Sequence, residues 1–341
     1  KRQIASTGKG NVLVTNNERN DISLKKLTTA DGNINITNNA LNANVILNDV
    51  VTSGSQGTIT IGSQGNIEQT FDSTALISSG DITLNAKGNV GKLEGEDVKF
   101  IKVSTDGNVG GSGQNFYVES PDKDLATGNI TATDDVILKS TATDKSVILN
   151  GLIKGNEVSV IADKNIYQNE ALEKSIEAVT DVILIAQHGD IGQAAGTSTE
   201  ANAIDLTAGG TIAASAAEGS VIINGVKSNI VTDNITAKNN IDLTTTQSGK
   251  ITVSNDLVTD TGYIRLNSAQ DLEIANNITA NGNVILVAND GIIQSDGLIQ
   301  SSGSGKVLIQ NYNAGDISIK DVLSKSGGID IINSAVGGDV I

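Results

Sequence analysis

Short runs in which every second residue is apolar recur along this chain in two interleaved series. One series starts its runs at Val12, Ile34, Ile59 and Ile82, 22 to 25 residues apart, and the other at Ile22, Val45, Ile67 and Val90, 22 or 23 apart. Both return near the C-terminus, at Ile241, Ile264, Val284, Val307 and Ile329 and at Ile251, Leu272, Ile292 and Ile317. Strict alternation marks a strand with one buried face, so each repeat is predicted to carry two short strands about 11 residues apart. Repeats of 20 to 25 residues fit an all-β fold, a parallel β-helix whose turns stack about 4.8 Å apart. Leucine-rich, hexapeptide and helical repeats each need a spacing that this chain does not sustain. The reading is one continuous β-helix over 1–341, about 15 rungs and roughly 70 Å long at that inter-strand spacing.

The segment "GDITLNAKGNVG" (Gly80 to Gly91) writes one corner of such a coil. Ile82, Leu84 and Ala86 face inward, and the Gly88-Asn89 pair is expected to supply a positive φ for the sharp turn that follows. Gly65-Asn66, Gly107-Asn108, Gly189-Asp190 and Asp290-Gly291 are read as equivalent corners. "NITA" recurs at Asn129, Asn234 and Asn277 as a further mark of the coil. Two stretches, 92–128 and 168–181, carry more charge and a poorer alternation and are expected to leave the coil. In the second, Leu172 and Ile176 with a Glu170-Lys174 pair suit either a short helix or an irregular rung.

Composition narrows the picture. The chain has 37 Gly, one Pro, seven aromatics and no Trp, Met or Cys, so its apolar content is almost wholly Ile, Val, Leu and Ala. β-Branched residues fit a pleated sheet better than a helix. Without cysteine there is neither a disulfide framework nor a thiolate metal site. A net charge of −16 argues against nucleic acid and anionic lipid as partners, since both need clustered Lys and Arg. No apolar run reaches the 18 or so residues of a spanning helix, so no membrane insertion is expected. Nor does a charged segment followed by an apolar stretch mark a signal peptide. The chain starts at Lys1 and is expected to be a portion of something longer.

"GDITLNAKGNVG", "GDIGQAAGTSTEANAIDLTAGGTI" and "NITANGNVILVANDGI" resemble the repeat region of filamentous haemagglutinin-like large exoproteins, which are bacterial surface proteins. The resemblance implies a right-handed parallel β-helix, export by a two-partner or autotransporter-like route, and use as an adhesin, fibre or stalk. On this expectation the segment is extracellular or at the cell surface and non-enzymatic. Its partners would be a polysaccharide, a cell-surface ligand, or a second copy stacked end to end on an open rung.

The alternative is a β-helical carbohydrate-active enzyme or binding module. Such a site calls for convergent acids, a cation and aromatic platforms. Asp134-Asp135 and Glu94, Glu96 and Asp97 are the nearest to paired carboxylates, but adjacent strand residues face opposite sides, so they read as solvated corner charge. Arginine is sparse, with Arg2, Arg19 and Arg265 the only ones, and His188, the sole histidine, lacks the partners of a nucleophile or zinc site. The G-G-x-G-x-D repeat of calcium-binding solenoids is missing. "N-I-T" at Asn35, Asn129, Asn234 and Asn277 fits a glycosylation sequon but reads as corner asparagine followed by strand. "LTTTQ" at Leu243 is not repeated rung after rung as an ice-binding array would be. No catalytic, cofactor or metal residue is therefore assigned.

Overall fold

In the computed structural model, residues 3–48, 51–54, 57–70, 75–95, 97–192 and 202–341 are described, and none of them is helical. The chain divides into two compact units, Lys1–Asp163 and Lys164–Ile341. Each is a parallel β-solenoid, about 14 turns in all.

In the first unit the predicted ladders stand in the predicted register. Val12 pairs with Ile34, Ile34 with Ile59, Ile59 with Ile82 and Ile82 with Val109. The second series runs from Ile22 through Val45, Ile67 and Val90 to Phe116. Ile34, Ile59, Ile82 and Val109 are wholly buried, as alternation with one inward face requires. The C-terminal ladders of the second unit hold equally: Ile241, Ile264, Val284, Val307 and Ile329 are successive partners, and so are Ile251, Leu272, Ile292 and Ile317.

Each of these turns has three strands, not two. In the second unit the third ladder is Ile235, Leu257, Ile278, Ile299 and Val322. From Leu257 on its strands are three residues long, each with one large apolar residue on the ladder position, as in Ile278–Ala280, too short to register as an alternation. "NITA" at Asn234 and Asn277 enters this ladder, and at Asn129 it leads into Ile130, the partner of Ile153. Where strands of eight residues occur, Leu125–Ala132 and Ile230–Ala237, a bulge shifts the register and one long strand replaces two.

The corners differ from expectation in mechanism. None of Gly65, Gly88, Gly107, Gly189 and Gly291, nor the Asn or Asp beside them, has a positive φ. What these glycines supply is room. In the series at Ile22, Val45, Ile67 and Val90 the Asx residue before the ladder position accepts a hydrogen bond from the backbone N–H at the same position one turn on. Asn44 Oδ1 receives Asn66 N–H (2.8 Å), Asn66 Oδ1 receives Asn89 N–H (2.8 Å), and Asn89 Oδ1 receives Asn115 N–H (3.2 Å). Gly-Asx pairs stack, so a Cβ at Gly88 would run into Asn66 Oδ1, and one at Gly65 would lie 2.5 Å from Asn44 Oδ1. Inward hydroxyls close other corners: Thr29 Oγ1 donates to Gly32 O (2.6 Å), Ser53 Oγ to Gly57 O (2.9 Å) and Ser78 Oγ to Gly57 O (2.7 Å). The recurring polar residues thereby satisfy backbone groups that a tight corner would otherwise leave unpaired.

Of the stretch 92–128, only its start leaves the coil. Lys92–Glu94 and Asp97–Lys99 form an antiparallel hairpin, whereas Ile101–Thr105, Val109–Gly113 and Phe116–Ser120 are ladder strands. In 168–181 the residues after Gln168 make a turn, with Leu172 N–H donating to Asn169 O (3.0 Å), and Ile176–Ala178 rejoins a ladder. Lys174 pairs with Glu177 at 2.7 Å, three residues on. The irregular rung is the alternative realised.

Candidate functional site

The hairpin is the one described departure from parallel pairing, and it borders a groove of about 510 Å3 on the outside of the first unit. Val90 is still in the ladder between Ile67 and Phe116, and the chain then turns outward at Gly91, in the left-handed region at φ 85°. A Cβ there would meet Lys99 O at 2.8 Å and Tyr117 Cβ at 2.9 Å, so the exit requires glycine. Tyr117 points outward in register with Ile137 yet is only 3 % exposed. Burial, and then Asp135, Asp134 and Glu157, raise its pKa.

Cross-strand partners in the hairpin are like-charged: Lys92 faces Lys99, and Glu94 faces Asp97. Ion pairs along each strand offset this, Lys92 to Glu94 at 2.8 Å and Lys99 to Asp97 at 3.7 Å. The hydrogen bond from Lys92 holds Glu94 below the usual carboxylate range and raises the lysine in turn. Exposed pairs of this kind contribute little stability, so the hairpin is not explained as a brace.

Lys102 and Glu119 line the groove, and with Lys139 beside them they occupy successive outward positions of adjacent strands. Among the described residues Lys102 Nζ and Glu119 have no ion-pair partner. Lys139 Nζ sits 5.5 Å from the centre of the Phe100 ring, a cation–π contact. On the opposite side, Glu68 Oε1 accepts from Asn66 Nδ2 (3.2 Å) and Ile46 is its cross-strand neighbour. The arrangement offers charged donors and acceptors in alternation beside apolar surface from Ile46, Val98 and Phe100.

The residues singled out from sequence fall as follows. Glu94 and Asp97 face each other in the hairpin, and Glu96 lies outside the described residues. Asp134 and Asp135 are corner residues, and the Asp135 N–H donates to Asn115 Oδ1 (3.1 Å) as one step of the Asx ladder. His188 is exposed at the corner before Gly189. Among the sequons, Asn129 and Asn277 receive the N–H groups of Leu152 and Leu298 (both 2.9 Å), Asn35 lies within the strand Ile34–Asn38, and Asn234 is exposed. Thr244 has Asn224 and Asn267 as its cross-strand neighbours, so the threonine run does not continue from rung to rung.

Sequence reasoning missed two features. The groove depends on a hairpin concealed in an apparently irregular stretch; the like-signed pairs at Lys92/Lys99 and Glu94/Asp97, around Gly95, were its only signal. The other is Arg265, whose guanidinium bonds Asp242 one turn earlier through Nε (3.0 Å) and Nη2. Asp242 faces outward but its side chain is only 3 % exposed, and Arg265 is half exposed. Burial, then Asp242, raises the pKa of the neighbouring Tyr263. No described cluster of three or more His, Asp or Glu is arranged to hold a metal ion. No family model, no curated protein and no solved structure matches this chain.

Proposed function

We propose that this chain is a structural and adhesive segment of a filamentous haemagglutinin-like bacterial surface exoprotein, acting outside the cell by presenting binding surface and not by catalysis. The observation that carries the reading is the use made of the repeated polar residues. Asn44, Asn66, Asn89 and Asn115, like Asp256 and Asn277 in the second unit, are committed to backbone N–H groups one turn on. What the sequence repeats is scaffold chemistry, and binding falls to the outward faces between the corners. A polysaccharide or other cell-surface ligand is the proposed partner.

End-to-end association is part of the proposal. Ile329 and Ile331 stand in register with the buried Val307 and Ile309 but are 43 % and 36 % exposed. A strand docked on that rung, from continuing chain or from a second copy, would bury them and satisfy their backbone groups. The reading is tested by adhesion of the purified protein to immobilised polysaccharides and bacterial or host cells, with saturable binding expected.

The groove favours a second reading, a carbohydrate-active β-helix, because it gathers carboxylates, amines and an aromatic ring. Release of new reducing or unsaturated ends from a polysaccharide panel would establish that reading in place of the first.

A further inference from the structure

We infer that the groove beside the 92–99 hairpin is a binding site for a short neutral oligosaccharide, about two to three hexose units, held between Lys102 and Glu119 with an apolar sugar face on Phe100. The inference rests on the adhesive reading above and gives it a site and a ligand class.

Charge balance selects the class. The protein as a whole carries −16, a field that repels acidic glycans at long range. The groove itself is lined by Lys92, Lys99 and Lys102 against Glu68, Glu94 and Glu119, three charges of each sign. A ligand of either net charge gains no overall attraction there, whereas one with both donors and acceptors on every unit meets a partner of each kind. Sugar hydroxyls have that property, since each donates one hydrogen bond and accepts others.

Position supports the same ligand. Lys102 and Glu119 are direct cross-strand neighbours that do not close on each other, so a donor and an acceptor stand side by side at the inter-strand spacing. A pair of vicinal hydroxyls bridges them, accepting from the ammonium and donating to the carboxylate, without the cost of breaking an existing ion pair. Phe100, Val98 and Ile46 supply the apolar surface against which the C–H face of a pyranose packs. The Lys139 ammonium near the Phe100 ring helps to hold that ring in place. At about 510 Å3 the groove lies within the range of small-ligand clefts and is too small for a long chain to be engulfed.

The test is titration calorimetry of the whole protein with linear trisaccharides of glucose, mannose, galactose and N-acetylglucosamine, and with a trigalacturonate as the acidic control. At least one neutral trisaccharide is expected to bind saturably, with dissociation constants from tens of micromolar to millimolar, and trigalacturonate at least tenfold more weakly. Phe100→Ala and the double variant Lys102→Met/Glu119→Gln should each weaken binding tenfold or more. Unchanged melting of these variants shows that the scaffold is intact, and Lys250→Met, in the second unit, serves as a variant that should leave binding unaltered. Absence of binding by all four neutral trisaccharides, preference for trigalacturonate, or equal binding by wild type and groove variants would each overturn the inference. If the groove variants still adhere to cells like wild type, the adhesive reading stands and only the site is wrong; if the trisaccharides are cleaved, it is the adhesive reading that fails.

Discussion

Replacing Gly88 by alanine tests whether corner glycines are there for space and not for backbone freedom. Gly88 has no left-handed φ, so alanine meets no conformational barrier and should gain about 0.5 kcal/mol through the unfolded chain. Against this, the new Cβ collides with Asn66 Oδ1, the acceptor of the Asn89 N–H. Displacing that side chain forfeits a partly buried hydrogen bond and strains the corner, about 2 kcal/mol together, for a net loss of about 1.5 kcal/mol. Asn66→Ala alone should cost about 1 kcal/mol through the same lost bond. In the double variant the Asn66 amide is gone, and the remaining close contact, Gly65 C at 3.2 Å, asks the backbone to give by only a few tenths of an ångström. The double variant should therefore lose only about 0.5 kcal/mol, where simple addition gives about 2.5. Chemical denaturation of the four proteins of this cycle, with hydrogen exchange at the Asn89 amide, reads the coupling of about 2 kcal/mol. Additivity within about 0.5 kcal/mol would refute the account of the corners.

Ile264→Asp puts a carboxylate at a wholly buried ladder position and should cost several kcal/mol in denaturation, lost first as hydrogen-exchange protection in the turns on either side. Arg265→Ala strands the buried Asp242 carboxylate and should cost about 2–3 kcal/mol, less than a fully buried pair because the arginine is half exposed, and Asp242→Asn in the same background should restore part of it. Glu273 is held below the usual carboxylate range, first by its hydrogen bond from Lys250. Its depressed folded pKa adds a small stability that is full above the unfolded value of about 4.3 and lost as pH falls through the folded one. Lys250→Ala should raise the Glu273 pKa, measured by carboxyl NMR titration, and change stability at neutral pH by about 0.5 kcal/mol or less, since both partners are over a third exposed.

The ladders were legible because strands such as Ile82–Ala86 bury an apolar residue at every second position, here Ile82, Leu84 and Ala86, and a slip of one residue would turn them all outward. The third strand was not legible because Ile278–Ala280 and its neighbours are only three residues long with a single large apolar residue on the ladder position, leaving no alternation to count. Gly-Asx corners were found by their residues but explained wrongly. The dipeptide that gives a left-handed turn in a hairpin here packs glycine against the Asx one turn earlier, a contact visible only once the turns are stacked. The groove was hidden for a related reason: Lys102 and Glu119 are separated in sequence and become neighbours only through strand register.

The most direct measurement of the functional claim is to incubate the protein with a panel of neutral and acidic polysaccharides, recording bound protein and newly formed reducing and unsaturated ends on the same samples. Saturable binding to at least one polysaccharide, with chain ends at the level of the protein-free control, is the predicted result. Reproducible turnover, or no binding to any member of the panel and none to bacterial or host cells, would contradict it.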